Sequence, residues 1–214
     1  MQTGEYHNST LYPVILRVAE KDRKLSGRQQ VQNLSRLARS ALKYSARKSD
    51  LTVREFLKNE NGVPLPSDGI YWSVTHKPEY VAGVVALTDI GIDVEKIRPC
   101  SSGLFKRTAD DQEWHLAPES PSFELFFRYW TAKEAVIKAV GTGLRDLLKC
   151  RVKRILDETH LIIAYGGTRW YIEHFFFDGH IASVAKNNFK TKWTVKSEGR
   201  SCLTNHGLMC IIKV

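Results

Sequence analysis

Paired thiols are missing from this chain. Its four cysteines, Cys100, Cys150, Cys202 and Cys210, form no C-x-x-C pair, which excludes the usual spacings of structural zinc sites and of thiol redox motifs. They read as reduced thiols of a cytoplasmic protein. No serine stands in a Gly-x-Ser-x-Gly turn, so the strained elbow that presents a covalent nucleophile is absent as well. Long apolar runs are lacking: the stretch 11–18 is too short to span a bilayer, and residues 1–10 are polar, unlike a signal peptide. Acidic side chains are in deficit. Against 32 Lys and Arg there are 23 Asp and Glu, a formal charge of +9, which points to an acidic partner or an anionic substrate.

What is present suffices for a folded body. With 214 residues, 43% of them hydrophobic, the chain can bury one good core or two small ones. Two acidic clusters stand out against the basic background. In Gly91-Ile92-Asp93-Val94-Glu95, strand alternation sends Asp93 and Glu95 to one face and Ile92 and Val94 to the other. In the second cluster, Phe127, Trp130, Ile137 and Gly141 follow helical spacing, and Glu134 falls on their stripe. A carboxylate on an apolar stripe requires a cation or a polar cleft. Facing Asp93 and Glu95 would provide one.

Three oxygen donors with no His or Cys set beside them describe a site for a hard cation, and magnesium with a phosphate-bearing substrate is its usual occupant. Lys133 and Lys138 suit the same chemistry, since cations there hold phosphoryl oxygens that gain charge. A plainer reading stands beside this one. Asp93 and Glu95 would then end a surface strand, and Glu134 with Lys138 would be an ordinary i,i+4 ion pair.

The two segments together resemble those of the 4′-phosphopantetheinyl transferases, in the monomeric surfactin-type (Sfp-like) branch. Gly91 to Glu95 is similar to a G-[IV]-D-[IVL]-E motif, and Trp130-Thr131-Ala132-Lys133-Glu134 through Lys138 to W-x-x-K-E-x-x-x-K. Upstream, Gly62-Val63-Pro64-Leu65-Pro66 resembles a G-K-P-x-x-P loop, and Trp72-Ser73-Val74-Thr75-His76 an N-x-S-H segment. The chain departs from these patterns at Val63, where lysine is usual, and at Thr75, where serine is usual.

The resemblance implies transfer of the phosphopantetheine arm of coenzyme A to a serine of an acidic acyl or peptidyl carrier protein, with release of 3′,5′-ADP. It implies magnesium held by Asp93, Glu95 and Glu134, and a serine proton taken by Glu134 or by Glu113 of Asp110-Asp111-Gln112-Glu113-Trp114. Lys138 and Lys133 would bind the pyrophosphate, and Gly62, Pro64 and Ser73 would line the coenzyme site. His76 would meet the nucleotide's 3′-phosphate, with Lys24 and Arg28 adding charge. Two other classes stay open: a magnesium-dependent nuclease with a D…E-x-K core, and a basic module that binds nucleic acid. Against the first, Lys96 should lie on the opposite strand face from Glu95.

Periodicity and turn signals give an α+β pattern. Strands are expected at 11–18, 53–57, 70–74, 80–87 and 90–94, the last two joined as a hairpin by Thr88-Asp89. Helices are expected at 27–48, where Arg36, Arg39, Lys43 and Arg47 form a basic stripe that is either a solvated face or a docking surface, at 110–116, and at 122–140 between an N-cap Ser122 and the terminating Gly141. Strands return at 150–156, 160–165, 169–177 and 180–185. The halves echo each other, matching the pseudo-twofold pair of α+β halves that the resemblance implies. The expected division is 1–98, 99–186 and an extension, 187–214, in a chain expected to act as a monomer without membrane contact.

Overall fold

A computed structural model describes residues 10–118, 120–186 and 189–197. The first expected strand is cut in two, β1 (Thr10–Leu11) and β2 (Val14–Arg17), because Pro13 supplies no ladder donor. A short α1 (Glu20–Arg23) leads into α2 (Gly27–Lys48). Next come β3 (Tyr71–His76), β4 (Tyr80–Ala86) and β5 (Gly91–Lys96). The second half brings α3 (Ser102–Thr108), α4 (Asp111–Trp114) and α5 (Phe123–Val140). After a 3-10 turn at Leu144–Lys149 follow β6 (Arg151–Ile155), β7 (His160–Tyr165), β8 (Thr168–Phe177) and β9 (His180–Lys186), then β10 (Lys190–Thr191) and β11 (Thr194–Ser197).

Two sheets, each covered by one long helix, make the α+β body. The first has the order β11-β2-β4-β3 and the second β5-β9-β8-β7-β6, with β1 and β10 paired separately. From α2, Leu34, Leu37, Ala38, Ala41 and Leu42 pack on the outer face of the first sheet. From α5, Phe127, Ala132, Ala135 and Val136 pack on the second. Between the sheets, Ala82 and Val84 meet Ile92, Val94, Ala182 and Val184 in one cluster. Fully burying each branched side chain stabilises the fold by about 1.5–3 kcal/mol.

Helix α5 has the expected ends. Ser122 Oγ accepts from the N–H of Leu125 at 3.1 Å, and Gly141 stops the helix at φ +77°, a left-handed conformation that glycine adopts without a Cβ penalty.

Three expectations are corrected. β4 and β5 do not form a hairpin: β4 pairs with β2 and β3, and β5 with β9. Gly91 supplies the reason, since a Cβ there would stand 1.8 Å from the carbonyl oxygen of Ala135; only a bare backbone lets β5 approach α5 this closely. No strand forms at 53–57, where Leu57 is exposed and the only pairing is an isolated bridge between Lys58 and Pro64. Helix α3 forms just after the expected division at 98, where no helix was expected.

The ladders also cut across the expected division of the chain. β5, placed in the first half, belongs to the second sheet, and β11 returns to lie parallel to β2 in the first. Trp193, in the expected extension, stacks on Phe175 and donates to Glu173 at 2.9 Å. Cys202, Cys210 and the rest of 198–214 lie outside the described residues. Cys100 and Cys150 are both unpaired thiols, and burial pushes the Cys150 pKa up to about 12. Among the described residues no helix is long and apolar enough to cross a membrane.

Candidate active site

The acidic clusters meet where an edge strand of each sheet runs beside the other. β3 and β5 share no ladder; instead Ser73 Oγ accepts from the N–H of Ile92 at 3.1 Å. Each strand thereby covers the other's open edge. Alternation then does the sorting. On β3, Ser73, Thr75 and the following Lys77 turn to β5, while Trp72, Val74 and His76 turn to α2. On β5, Ile92 and Val94 enter the core between the sheets, which turns Asp93 and Glu95 toward α5.

Asp93 is the centre of this contact. It is 1% exposed, and its Oδ1 accepts from Thr75 Oγ1 at 2.8 Å and from Lys138 Nζ at 2.7 Å. Its Oδ2 is buried with no partner. Beside it, Lys77 Nζ donates to Glu95 Oε1 at 2.5 Å. Burial works against the Lys77 charge, yet Asp93 and Glu95 together hold its pKa above the ordinary lysine value. Lys138 pairs with Asp93 rather than with Glu134, so the simple i,i+4 pair on α5 is not formed.

Glu134 is half-buried beside these groups. Desolvation first, then the neighbouring Asp93, push its pKa up to about 7, with Lys138 and Lys77 pulling the other way. A carboxyl that changes charge near neutrality is suited to taking up and releasing a proton. His76, on the other face of β3, is held below the ordinary imidazole value by partial desolvation and by Lys138, Lys58 and Lys77.

A cleft of about 280 Å³ opens over this region, lined among others by Lys58, Gly62, Pro64, His76, Lys77 and Lys138. Ser73 and Thr75 also line it. Its rim is cationic. A larger cavity, about 670 Å³ beside Pro118, Arg128 and Glu158, shares no lining residue with it and gathers none of the acidic cluster.

Most of the expected site residues are thus brought together: Asp93, Glu95, Glu134, Lys138, Ser73, His76, Gly62 and Pro64. Four are placed elsewhere. Glu113 and Lys133 pair with each other at 2.7 Å, 2% and 0% exposed. Lys133 also donates to the carbonyl of Thr108 at 2.6 Å, and Glu113 accepts from the N–H of Val152 at 2.7 Å. Glu113 completes a reciprocal cap with Asp110 at the start of α4. Lys133 and Glu134, one residue apart on α5, project about 100° apart, so only one of them can face β5. Lys24 and Arg28 are exposed at the ends of α1 and α2 and do not line the cleft.

Sequence reasoning overlooked Lys77, Lys58 and Arg39 as site residues. The signal for Lys77 was present, since Ser73, Thr75 and Lys77 are polar at a period of two. An E-x-K nuclease core would require lysine where Ile97 stands, and the neighbouring Lys96 pairs with Glu79 at 2.6 Å.

The donor set fits a hard cation. Asp93 Oδ2 is an unpartnered oxygen, Glu134 and Glu95 adjoin it electrostatically, and no soft ligand competes. As they stand, Lys77 and Lys138 take the place of a cation, and among the described residues no three ligating side chains converge on one point.

Residues 89–194 match the model of the 4′-phosphopantetheinyl transferase superfamily. The region 89–194 of this chain belongs to that superfamily. The matched superfamily region carries Asp93, Glu95, Glu134 and Lys138, whereas Lys58, His76 and Lys77 lie upstream of it. Among superfamily relatives, the chain is 35% identical over 104 residues to the 4′-phosphopantetheinyl transferase HetI of Nostoc, covering 44% of each chain. It is 31% identical over 115 residues to the transferase Sfp of Bacillus subtilis, covering half of each. To the transferase gsp of Aneurinibacillus migulanus it is 29% identical over 92 residues, or 42% of this chain and 39% of that one. The matches span half or less of these relatives' length.

Proposed function

We propose that this protein transfers the 4′-phosphopantetheine group of coenzyme A to a serine hydroxyl of an acyl or peptidyl carrier protein, releasing 3′,5′-ADP. The observation that carries this reading is the meeting of Asp93, Glu95 and Glu134 with Lys77 and Lys138 at the mouth of a cationic cleft. Asp93, Glu95 and Glu134 would hold magnesium, which when bound supplies positive charge to phosphoryl oxygens. A cation there would compete with Lys138 and Lys77 for the charge of Asp93 and Glu95 and loosen both pairs. Both ammonium groups are then available to the pyrophosphate of the coenzyme.

Serine is a weak nucleophile, so its proton needs an acceptor near its attack. Glu134 is the better candidate of the two acidic residues considered. Its carboxyl titrates near neutrality beside Asp93, Lys138 and Lys77, whereas the carboxylate of Glu113 is fully engaged by Lys133, Val152 and Asp110. No covalent enzyme intermediate is needed, in keeping with the lack of a nucleophile motif. The net charge of +9 suits an acidic carrier protein as partner. Two sheets within one chain frame the cleft without a second copy, which supports action as a monomer.

The test is the intact mass of apo carrier proteins of several types after incubation with this protein and coenzyme A, with magnesium or with chelator. A phosphopantetheine mass gain that requires magnesium is expected. No gain on any carrier would overturn the transferase reading.

A further inference from the structure

The turn between β3 and β4 is anchored at both of its ends. The N–H of Lys77 donates to the carbonyl of Tyr80 at 2.8 Å, and Pro78 restricts the backbone between them. Glu79 ties the same turn to β5 through Lys96 at 2.6 Å. A fixed backbone therefore delivers Lys77 to β5. Its Nζ donates to Glu95 Oε1 at 2.5 Å, with the Lys77 side chain 33% and the Glu95 side chain 14% exposed. A pair drawn this far from water is screened less than a surface pair.

Charge at this place is nearly balanced without any ligand. Asp93, Glu95 and Glu134 bring three carboxyl groups, against the two ammonium groups of Lys77 and Lys138. A divalent cation added alone would turn a small negative excess into a positive one. The pyrophosphate of a coenzyme reverses that excess again. Lys138 is committed elsewhere, to Asp93 Oδ1 at 2.7 Å and the carbonyl of Ile92 at 3.3 Å. Lys77 alone among the cleft-lining cations is bonded to Glu95, and it lines the cleft as well.

We propose that Lys77 is a resident counter-ion that holds Glu95 out of the cation site until the pyrophosphate of coenzyme A draws its ammonium group away, so that metal and coenzyme bind together. The proposal rests on the transferase reading of this site. Any shift of the ammonium group toward a phosphoryl oxygen in the cleft weakens its hold on Glu95 and returns that carboxylate to Asp93 Oδ2, the acceptor left without a partner. Linkage makes the effect reciprocal: the factor by which coenzyme tightens metal binding is the factor by which metal tightens coenzyme binding.

The test uses the full chain and Mn²⁺, which takes the same oxygen donors as magnesium, with free ion read by electron paramagnetic resonance. Lys77→Gln keeps a donor for Glu95 and removes the charge, whereas Lys77→Arg keeps the charge. Without coenzyme A, Lys77→Gln should bind Mn²⁺ at least about tenfold more tightly than the unmodified protein, because one like charge has left the ion's surroundings. Lys77→Met, which keeps the aliphatic stem, should show the same gain, and Lys77→Arg none. Adding Asp93→Asn to Lys77→Gln should abolish it. With coenzyme A present, Mn²⁺ retained with the protein on ultrafiltration should rise more for the unmodified chain than for Lys77→Gln.

Equal Mn²⁺ affinity in the unmodified protein and in both uncharged variants, all folded by circular dichroism, overturns the proposal and leaves Lys77 as a clasp between the turn and β5. A gain that survives Asp93→Asn overturns it as well. If the proposal fails in either way while carrier proteins still gain the phosphopantetheine mass with magnesium, the transferase reading stands without it. If the Mn²⁺ responses are as expected but no carrier is modified, the counter-ion stands and the transfer reaction falls.

Discussion

Lys138 Nζ donates to Asp93 Oδ1 at 2.7 Å, joining the last turn of α5 to the middle of β5. The same oxygen accepts from Thr75 of β3, so one buried carboxylate gathers a helix and one strand from each sheet. Its other oxygen has no partner. A pair built in this way supports the fold and also leaves one acceptor free for a ligand.

Asp93→Asn keeps the shape and removes the charge. We expect turnover to fall by about 10²-fold or more, the scale on which loss of an electrostatic group in a reacting site is felt, while circular dichroism shows a folded chain. Near-normal transfer by this variant, measured as carrier mass gain, would remove Asp93 from the reaction.

For Glu134 the sign follows from a pKa raised to about 7. A base must be deprotonated to act, so kcat should fall as pH drops through the Glu134 pKa, about 7 in the metal-free protein and lower with a cation bound. Stability runs the other way. The folded state holds the proton more tightly than the unfolded chain, so this group's contribution is present at low pH and is lost as pH rises from about 4.5 to 7. Glu134→Gln should therefore raise Tm by roughly 2–4 °C at pH 8 and leave it unchanged at pH 4, while lowering kcat by about 10²–10⁴-fold. An equal change in Tm at both pH values would contradict the assignment.

Glu113 and Lys133 should behave as a structural pair. Truncating either alone leaves a buried charge uncompensated, at a cost of about 3–5 kcal/mol, so Glu113→Ala should unfold at much lower urea. The double variant Glu113→Leu, Lys133→Met should recover much of that loss. A stable Glu113→Ala variant that has lost turnover would return Glu113 to the chemistry.

His174 is a fully buried neutral imidazole whose Nδ1 is bonded to Ser183 Oγ at 2.7 Å. Desolvation, then Arg128 and His160, hold its pKa well below the ordinary value. Stability from this group is complete above the unfolded pKa of about 6.5 and is lost progressively as pH falls below it. Urea midpoints at pH 7.5 and 5.5 should therefore differ more for the unmodified protein than for His174→Gln. Equal pH sensitivity in the two would show that His174 is not the group being protonated.

Local signals were dependable where one residue type has one physical use. Ser122 and Gly141 delimit α5 because an orphan N–H needs an acceptor and a left-handed residue needs no Cβ. Alternation in Gly91 to Glu95 separated the core residues from the acidic ones. It could not show that β5 would leave β4 for β9, since that depends on Gly91 meeting the backbone of α5.

Taken alone, the sequence determined which faces are apolar, where the long helices begin and end, and that Asp93, Glu95 and Glu134 would be polar groups on otherwise buried elements, because those properties follow from chain periodicity. The tertiary structure decided which charge meets which. Lys133 turned inward to Glu113, Lys138 to Asp93, and among the described residues Lys58 was left without a carboxylate beside Arg39. Electrostatic partners are chosen by distance in space, and neighbours along the chain, such as Lys133 and Glu134, are sent by the helix to different sides of it.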